Sequence, residues 1–186
     1  MADVIYSMTT SLDGFIADRG GEIDWSAPDE ELFLFHTEHT RELGVHLCGR
    51  GLYEAMVYWE TADRDPAIGE ASVEFAQIWR ALPKIVFSTS LEQVEGNTTL
   101  ARDGLAEEVT RLKHEGGKDI GVGGAGLAGQ CAKLGLIDEY RLFISPVVLG
   151  GGTPFFPPLD ARIGLDLVET RTFPTRVQYM RYRVAR

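Results

Sequence analysis

Patterns typical of strands and of helices alternate along most of this 186-residue chain. Apolar runs rich in β-branched residues, such as "DVIYSMTTS" at 3–11 and "KIVFST" at 84–89, indicate strands. Longer segments, such as "SAPDEELFLFHTEHTREL" at 26–43 and "LAEEVTRLKHEGG" at 105–117, have the spacing of helices. The C-terminal part, 164–186, has strand patterns only. This order predicts one α/β domain with a mostly parallel sheet, helices on both faces and an antiparallel C-terminal edge.

Two local features refine this prediction. Ser26 is the expected N-cap of the first long helix, because a serine hydroxyl can accept a hydrogen bond from the free N–H groups of a first turn. Pro146 lies inside the long apolar pattern "IDEYRLFISPVVLG" at 137–150. A proline lacks the N–H that an interior strand needs, so this pattern predicts an edge strand or a bulge.

Charge and cysteine content narrow the class of protein. The formal net charge is -10, whereas a surface that binds nucleic acid usually has a basic excess. We therefore expect no nucleic-acid partner. Cys48 and Cys131 lie far apart beside apolar and glycine residues, which favours buried thiols in a reducing compartment. No signal-peptide pattern and no run of about 20 apolar residues is evident, so we expect a cytoplasmic protein with no membrane partner.

The segment "DIGVGGAGLAGQ" at 119–130 contains the pattern G-x-G-x-x-G, at Gly121, Gly123 and Gly126. A Rossmann fingerprint normally opens a domain, but this one follows several predicted strands. The acidic pair that follows it, at 138–139, also begins a strand rather than ending one. A strand, a glycine turn and a helix nevertheless expose backbone N–H groups at a positive helix end, where a phosphate can approach. The alternative is a tight turn that only lets helix and sheet pack closely.

Three further segments carry a resemblance to a known family. They are "TTSLDGFIA" at 9–17, "CGRGLYEAM" at 48–56 and "LGLIDEYRLFISPVVLGGGTPFF" at 134–156. In this order, with the glycine segment between the last two, they resemble the dihydrofolate reductase superfamily. The resemblance is to stand-alone relatives of the C-terminal reductase domain of the bifunctional deaminase-reductase of riboflavin biosynthesis. It implies a dihydrofolate reductase-like three-layer sandwich that occupies residues 1–186 as a single domain.

The resemblance also implies NADPH as the cofactor and indicates which residues bind it. The pyrophosphate turn of the family corresponds to Gly123, Gly124, Ala125, Gly126 and Leu127. The 2'-phosphate side corresponds to Gly49 and Arg50, the adenosine contacts to Ser88 and Thr89, and the nicotinamide wall to Thr10, Gly14 and Ile16. Arg50 suits its role because a guanidinium forms charged hydrogen bonds with phosphate. Leu52 stands where the family often has Thr, so one hydroxyl donor is missing.

Hydride transfer to a C=N or C=O bond places negative charge on the acceptor atom, so a nearby acid is expected. The resemblance places Glu30 near the family's carboxylate position, early in the first long helix. Asp13, beside the nicotinamide wall, is the second catalytic candidate. Both have structural alternatives, since acids favour a helix start and Asp-Gly favours a turn. The expected substrate contacts are Trp25, Gly151 and Phe155.

The histidines do not have metal-ligand spacing with the cysteines. His36 and His39 lie one turn apart on the first long helix, but no third ligand is evident in the sequence. We predict no metal site and interpret this pair as part of a solvated helix face.

These observations predict an NADPH-dependent reductase of a small heterocyclic (pterin- or pyrimidine-like) or carbonyl substrate. The resemblance implies an activity like that of 5-amino-6-(5-phosphoribosylamino)uracil reductase or of dihydrofolate reductase. The alternatives are dihydrofolate reductase proper and a non-catalytic NADP-binding protein. The C-terminal strand pattern around Tyr179, Met180 and Tyr182 predicts a homodimer, because an apolar strand near the chain end needs cover.

Overall fold

The computed structural model describes residues 2–185, and this range contains ten strands and five α-helices. The strands are β1 (Val4–Ser11), β2 (Phe15–Ala17), β3 (Leu43–Gly49), β4 (Lys84–Phe87), β5 (Thr98–Leu100), β6 (Asp119–Gly123), β7 (Glu139–Ser145), β8 (Thr153–Pro154), β9 (Leu165–Thr172) and β10 (Gln178–Val184). The helices are α1 (Glu30–Arg41), α2 (Arg50–Met56), α3 (Glu70–Ala81), α4 (Leu105–Glu115) and α5 (Ala125–Lys133).

Eight of the strands form one sheet in the order β5-β4-β3-β6-β1-β7-β10-β9. The neighbours from β5 to β7 run parallel, whereas β10 is antiparallel to both β7 and β9. The strands β2 and β8 form a separate antiparallel pair. The predicted mostly parallel sheet with an antiparallel C-terminal edge is therefore confirmed.

Helices cover both faces of this sheet. On one face, Val109 of α4 and Leu127 of α5 share a buried apolar cluster with Val4 of β1. On the other face, Trp79 of α3 shares a cluster with Val86 of β4. The three-layer sandwich predicted from the sequence is therefore confirmed. None of the helices within residues 2–185 is both long enough and apolar enough to cross a membrane.

Two local predictions are wrong. The N-cap of α1 is Asp29, whose carboxylate accepts a 2.9 Å hydrogen bond from the backbone N–H of Leu32. Ser26 instead belongs to a 3-10 turn, where its hydroxyl donates to a backbone carbonyl three residues earlier. The strand β7 is interior, not an edge. Pro146 follows its last residue, so the missing N–H falls outside the paired part of the strand.

A buried ion pair fixes the start of β4. The Lys84 ammonium lies 2.9 Å from the Glu60 carboxylate and donates to the backbone carbonyls of Trp79 and Leu82, at 2.7 and 3.0 Å. Only 2% of Lys84 is exposed. These contacts hold two parts of the chain against the sheet, namely the C-terminal end of α3 and the 3-10 segment with Glu60 that precedes α3.

Replacement of this lysine (Lys84→Met) should lower the free energy of unfolding by about 3–5 kcal/mol, because the buried Glu60 carboxylate loses its partner. The double variant Lys84→Met with Glu60→Gln removes the uncompensated charge and should recover part of the loss. Urea denaturation followed by circular dichroism measures both changes. Equal stability of the single and double variants would contradict this account of the pair.

Candidate active site

The carboxyl ends of the parallel strands meet at one edge of the sheet. Gly49, the last residue of β3, lies beside Phe87, the last residue of β4. Cys48 of β3 lies beside Gly123, the last residue of β6. The turns that follow these three strands are therefore neighbours. In open α/β sheets, ligands bind at this edge.

The β6–α5 turn contains glycines with different roles. A Cβ atom on Gly123 would lie 2.1 Å from the Leu52 side chain, so this glycine permits close packing. Gly124 has φ +91°, in the left-handed region that other residues rarely adopt. Gly126 faces open space. The first-turn N–H groups of α5, from Ala125 onwards, have no acceptor within the helix and lie at its positive end. The turn thus combines tight packing with free backbone donors.

Arg50 begins α2, at the end of β3, and its guanidinium donates a 3.1 Å hydrogen bond to the Ser90 hydroxyl. Ser88 accepts hydrogen bonds from the backbone N–H groups of Ser90 and Leu91 and so shapes the turn after β4. Thr89 is exposed at the same turn. The structure therefore brings the predicted residues Arg50, Ser88 and Thr89 together. Ser90 was missed, and its sequence signal is the run of hydroxyl residues at this strand end.

The predicted nicotinamide wall lies at the turn between β1 and β2. The Thr10 hydroxyl is buried and donates to the Phe15 carbonyl at 3.3 Å. Gly14 has φ +88°, which suits it to the turn. Ile16 is half-buried in β2. These contacts explain how the turn is shaped, and the role of its residues toward a cofactor stays a prediction.

A cavity of about 290 Å³ lies between the sheet and the helices α1, α2 and α3. Ser7 of β1 lines it from the sheet, and Phe33 of α1 lines it from the opposite side. Leu52 of α2 also lines it and covers Gly123, so the cavity and the glycine turn share a wall. Among the residues that the structure describes, the lining contains no carboxylate and one cationic side chain, Arg141.

Three histidines line this cavity, His36 and His39 from α1 and His46 from β3. Burial lowers their pKa values to about 4, about 3 and about 4, respectively, so all three are neutral at pH 7. The interpretation of His36 and His39 as part of a solvated helix face is therefore wrong. Helical spacing in the sequence could have indicated that these histidines face the interior, because Phe33, His36 and Thr40 lie on one face of α1. Within residues 2–185, no group of three or more His, Cys, Asp or Glu is placed to hold a metal ion.

Asp13 joins two loops through its carboxylate. It accepts hydrogen bonds from the Ser11 hydroxyl at 2.7 Å and from the backbone N–H groups of Leu149 and Gly150, at 3.1 and 2.7 Å. The Ser11 hydrogen bond contributes most to lowering the pKa of Asp13, and the two N–H groups add to it. A carboxyl group with a lowered pKa stays ionised at neutral pH. The structure therefore does not support Asp13 as a catalytic acid.

Two other predicted residues lie outside the cavity. Glu30 is exposed in the first turn of α1 and is not part of the cavity lining, so its position fits the helix-dipole alternative. Phe155 is 1% exposed and stacks on Tyr6, with ring centroids 4.3 Å apart. It is a core residue on the face that carries α4 and α5, because Tyr6 belongs to the same buried cluster. The prediction of Phe155 as a substrate contact is wrong.

The remaining predicted substrate contacts, Trp25 and Gly151, lie in loops. The Trp25 indole N–H donates to the Glu22 carbonyl at 3.2 Å. A Cβ atom on Gly151 would lie 2.6 Å from the Arg19 guanidinium. Neither residue lines the cavity, and their contact with a substrate stays a prediction.

Comparison with known proteins gives one family and one fold. The family model of the RibD C-terminal domain matches residues 2–179. The chain is 34% identical over 180 residues to uncharacterized protein YyaP of Bacillus subtilis (strain 168), covering 96% of this chain and 93% of that protein. A putative riboflavin biosynthesis protein from Shewanella sp. PV-4 matches over 100% of both chains, with a TM-score of 0.77 and 22% identity. Dihydrofolate reductase from Enterococcus faecalis, complexed with NADP(H), matches 99% of this chain and 97% of its own, with a TM-score of 0.62 and 17% identity.

Replacement of the loop-joining aspartate (Asp13→Ala) should free the 149–152 segment, because the N–H groups of Leu149 and Gly150 lose their acceptor. We expect hydrogen exchange at these two amides to accelerate by about tenfold, as local opening becomes easier. Hydrogen exchange followed by mass spectrometry measures the change. Asp18→Ala is the matched control, since the Asp18 carboxylate accepts only from N–H groups of its own loop in the described contacts. Unchanged exchange at 149 and 150 in Asp13→Ala would count against the proposed link.

Proposed function

The chain belongs to the family of RibD C-terminal domains, and on that premise we propose that it is an NADPH-dependent reductase. We infer that it transfers a hydride to a small heterocyclic substrate, pterin- or pyrimidine-like, or to a carbonyl compound. One observation carries this proposal. The glycine turn at Gly123–Gly124 and the guanidinium of Arg50 lie at one edge of the sheet, and the cavity lies on the adjoining sheet face under α1, α2 and α3. Leu52 contacts both the turn and the cavity and so marks where a bound dinucleotide would pass between them.

The residues at this edge fit NADPH. The free N–H groups in the first turn of α5 suit a pyrophosphate. Arg50 and Ser90, which are hydrogen bonded to each other, offer a guanidinium and a hydroxyl to the 2'-phosphate that NADH lacks. The Arg50 side chain is 56% exposed, so a phosphate can reach it. Bound NADPH would supply the hydride, and the chain would supply binding, orientation and a cavity that excludes water.

The residues that line the cavity help to distinguish the proposed reductase from the alternative functions. In dihydrofolate reductases, as the resemblance implies, a carboxylate early in the first long helix serves the substrate. The lining formed by the described residues contains none, and Glu30 is exposed outside it. This observation argues against dihydrofolate reductase proper. The same lack of an acid favours a non-catalytic NADP-binding protein as the second candidate. Oxidation of NADPH in the presence of a panel of ring compounds distinguishes a reductase from a protein that only binds.

The Arg50→Ala variant tests the cofactor assignment. NADPH should raise the melting temperature of the parent chain more than NADH does, because a ligand of the native state stabilises it according to its affinity. Loss of a charged hydrogen bond to phosphate is worth about 1.5–3 kcal/mol, so Arg50→Ala should weaken NADPH binding by roughly tenfold to a hundredfold. Its affinity for NADH should stay the same.

Thermal-shift titrations with both nucleotides provide these affinities. Arg162→Ala is the matched control, because Arg162 is an exposed arginine in the loop before β9. A parent chain that responds to neither nucleotide would remove the basis of the proposal. An equal loss of NADPH and NADH affinity in Arg50→Ala would remove the 2'-phosphate assignment alone.

We propose that the chain forms a homodimer, with a different strand at the contact from the one the sequence suggested. The predicted strand, β10, has partners on both sides, and Tyr179 within it is fully buried. The sheet has β5 at one edge and β9 at the other, and in β9 Leu167 and Val168 are 55% and 48% exposed. An eight-residue edge strand with exposed apolar side chains favours pairing with another chain.

Light scattering coupled to size-exclusion chromatography should give twice the monomer mass for the parent chain. Leu167→Lys places a charge on the β9 edge and should shift the population toward monomer, by about tenfold in the dissociation constant. Leu134→Lys, which alters an exposed apolar residue after α5, is the control. A monomeric parent chain at all accessible concentrations would contradict the dimer proposal.

A further inference from the structure

The walls of the cavity suit a flat ring better than a charged group. Its lining includes the aromatic side chains of Phe33, Trp59 and Trp79. Aromatic walls bind planar rings through stacking and edge contacts. A neutral imidazole has one hydrogen-bond donor and one acceptor, and in His46 the Nδ1 atom is already paired with the Cys48 thiol at 3.3 Å. A phosphate needs cationic side chains or several N–H donors instead.

The one cation in the described lining is already paired. Arg141 donates from Nε to the Glu139 carboxylate at 2.6 Å and lies 3.5 Å from the Glu42 carboxylate. Glu139 is 1% exposed and also lies 2.8 Å from Arg181. Moving the Arg141 guanidinium toward an incoming phosphate would weaken a buried ion pair, which is costly. Arg141 is therefore a poor anchor for an anionic ligand.

One polar atom in the lining lacks a partner. The Nδ1 atom of His39 is buried and has no hydrogen-bond partner among residues 2–185. Buried polar atoms in folded proteins are nearly always hydrogen bonded. Because His39 lines the cavity, rotation of its imidazole about the Cβ–Cγ bond would let a molecule bound there provide the missing partner. A ring N–H or a ring carbonyl has the required chemistry, depending on which imidazole nitrogen carries the proton.

We propose that this cavity takes an uncharged, planar substrate of one or two rings without a phosphate group, hydrogen bonded by His39. The inference rests on the proposed reductase function and narrows its substrate class. The volume of about 290 Å³ lies just below the roughly 300–1,000 Å³ typical of ligand pockets. Such a volume accommodates a ring system, and the described lining offers a phosphate no unpaired cation. The substrate class therefore differs from the phosphoribosyl compound that the family resemblance implies.

Isothermal titration calorimetry of the full chain saturated with NADPH tests this inference with three probes. Lumazine is an uncharged fused ring, and uridine and uridine 5'-monophosphate differ only by a phosphate. We expect lumazine to bind, and the monophosphate to bind at least about tenfold more weakly than uridine. Binding of lumazine alone would also support the inference. Equal or tighter binding of the monophosphate would overturn it, as would a lack of binding by all three probes.

Two test variants and one control variant extend the comparison. His39→Phe keeps an aromatic ring but removes the unpartnered nitrogen, and we expect it to weaken lumazine binding by about tenfold. His114→Phe, which changes an exposed histidine on α4, is the matched control and should leave lumazine binding unchanged. Met56→Lys adds a cation to the cavity lining and should raise the affinity for uridine 5'-monophosphate relative to uridine. Unchanged lumazine affinity in His39→Phe would overturn the role of His39.

The melting-temperature shift with NADPH alone separates failure of this inference from failure of the proposed function. If NADPH raises the melting temperature but none of the three probes binds, the substrate class is wrong and the cofactor assignment stands. If lumazine binds but NADPH causes no shift, the assignment of the cavity stands and the reductase proposal is wrong.

Discussion

The parallel pairing of β3 with β6 is the contact on which the rest of the site depends. Because Cys48 lies opposite Gly123, the turns after both strands begin side by side. A side chain on Gly123 would collide with Leu52, so glycine at this position lets α2 pack directly over the end of β6. The position of α2 in turn holds Arg50 against Ser90 and places Leu52 in the cavity wall. The glycine turn and the cavity are thus two sides of one packing arrangement.

The two carboxylates that the sequence offered for catalysis both contribute to the architecture. Asp13 connects the β1–β2 turn to Leu149 and Gly150, which are 136 and 137 residues further along the chain. Glu30 lies in the first turn of α1, where a negative charge interacts favourably with the helix dipole. Both acidic residues interact with the backbone. Asp13 accepts hydrogen bonds from N–H groups of another loop, and Glu30 lies at the positive end of a helix. Acidic residues near a site are therefore weak evidence of catalysis until their hydrogen bonds are known.

The sequence was sufficient to predict the layers of the fold and the direction of its strands, because strand and helix patterns alternate along the chain and such alternation produces parallel strands covered by helices. It was also sufficient for the position of the glycine turn before α5 and of Arg50 at the start of α2, since both belong to short motifs. The roles of these residues toward a cofactor stay predictions. The cavity could not be predicted from the sequence. Its lining comes from four strands and three α-helices, and each contributes residues, such as Phe33 and His46, whose local pattern is only that of a core. Phe155 was misassigned for a related reason, because the face on which it packs depends on its contact with the distant Tyr6.

Burial of the three cavity histidines limits what they can do chemically. An imidazole with a pKa near 4 rarely carries a second proton at pH 7, so His36 and His46 are hydrogen-bonding groups rather than stores of protons. In the proposed reductase, charge that develops on an acceptor atom in this cavity would be stabilised by fixed hydrogen bonds and the exclusion of water. Stabilisation of that kind suits an acceptor atom conjugated with a ring, over which the charge is shared. Burial keeps the cavity histidines neutral, and the same burial disfavours an anionic substrate. The use of neutral hydrogen-bonding groups and the proposed preference for an uncharged substrate therefore have one physical cause.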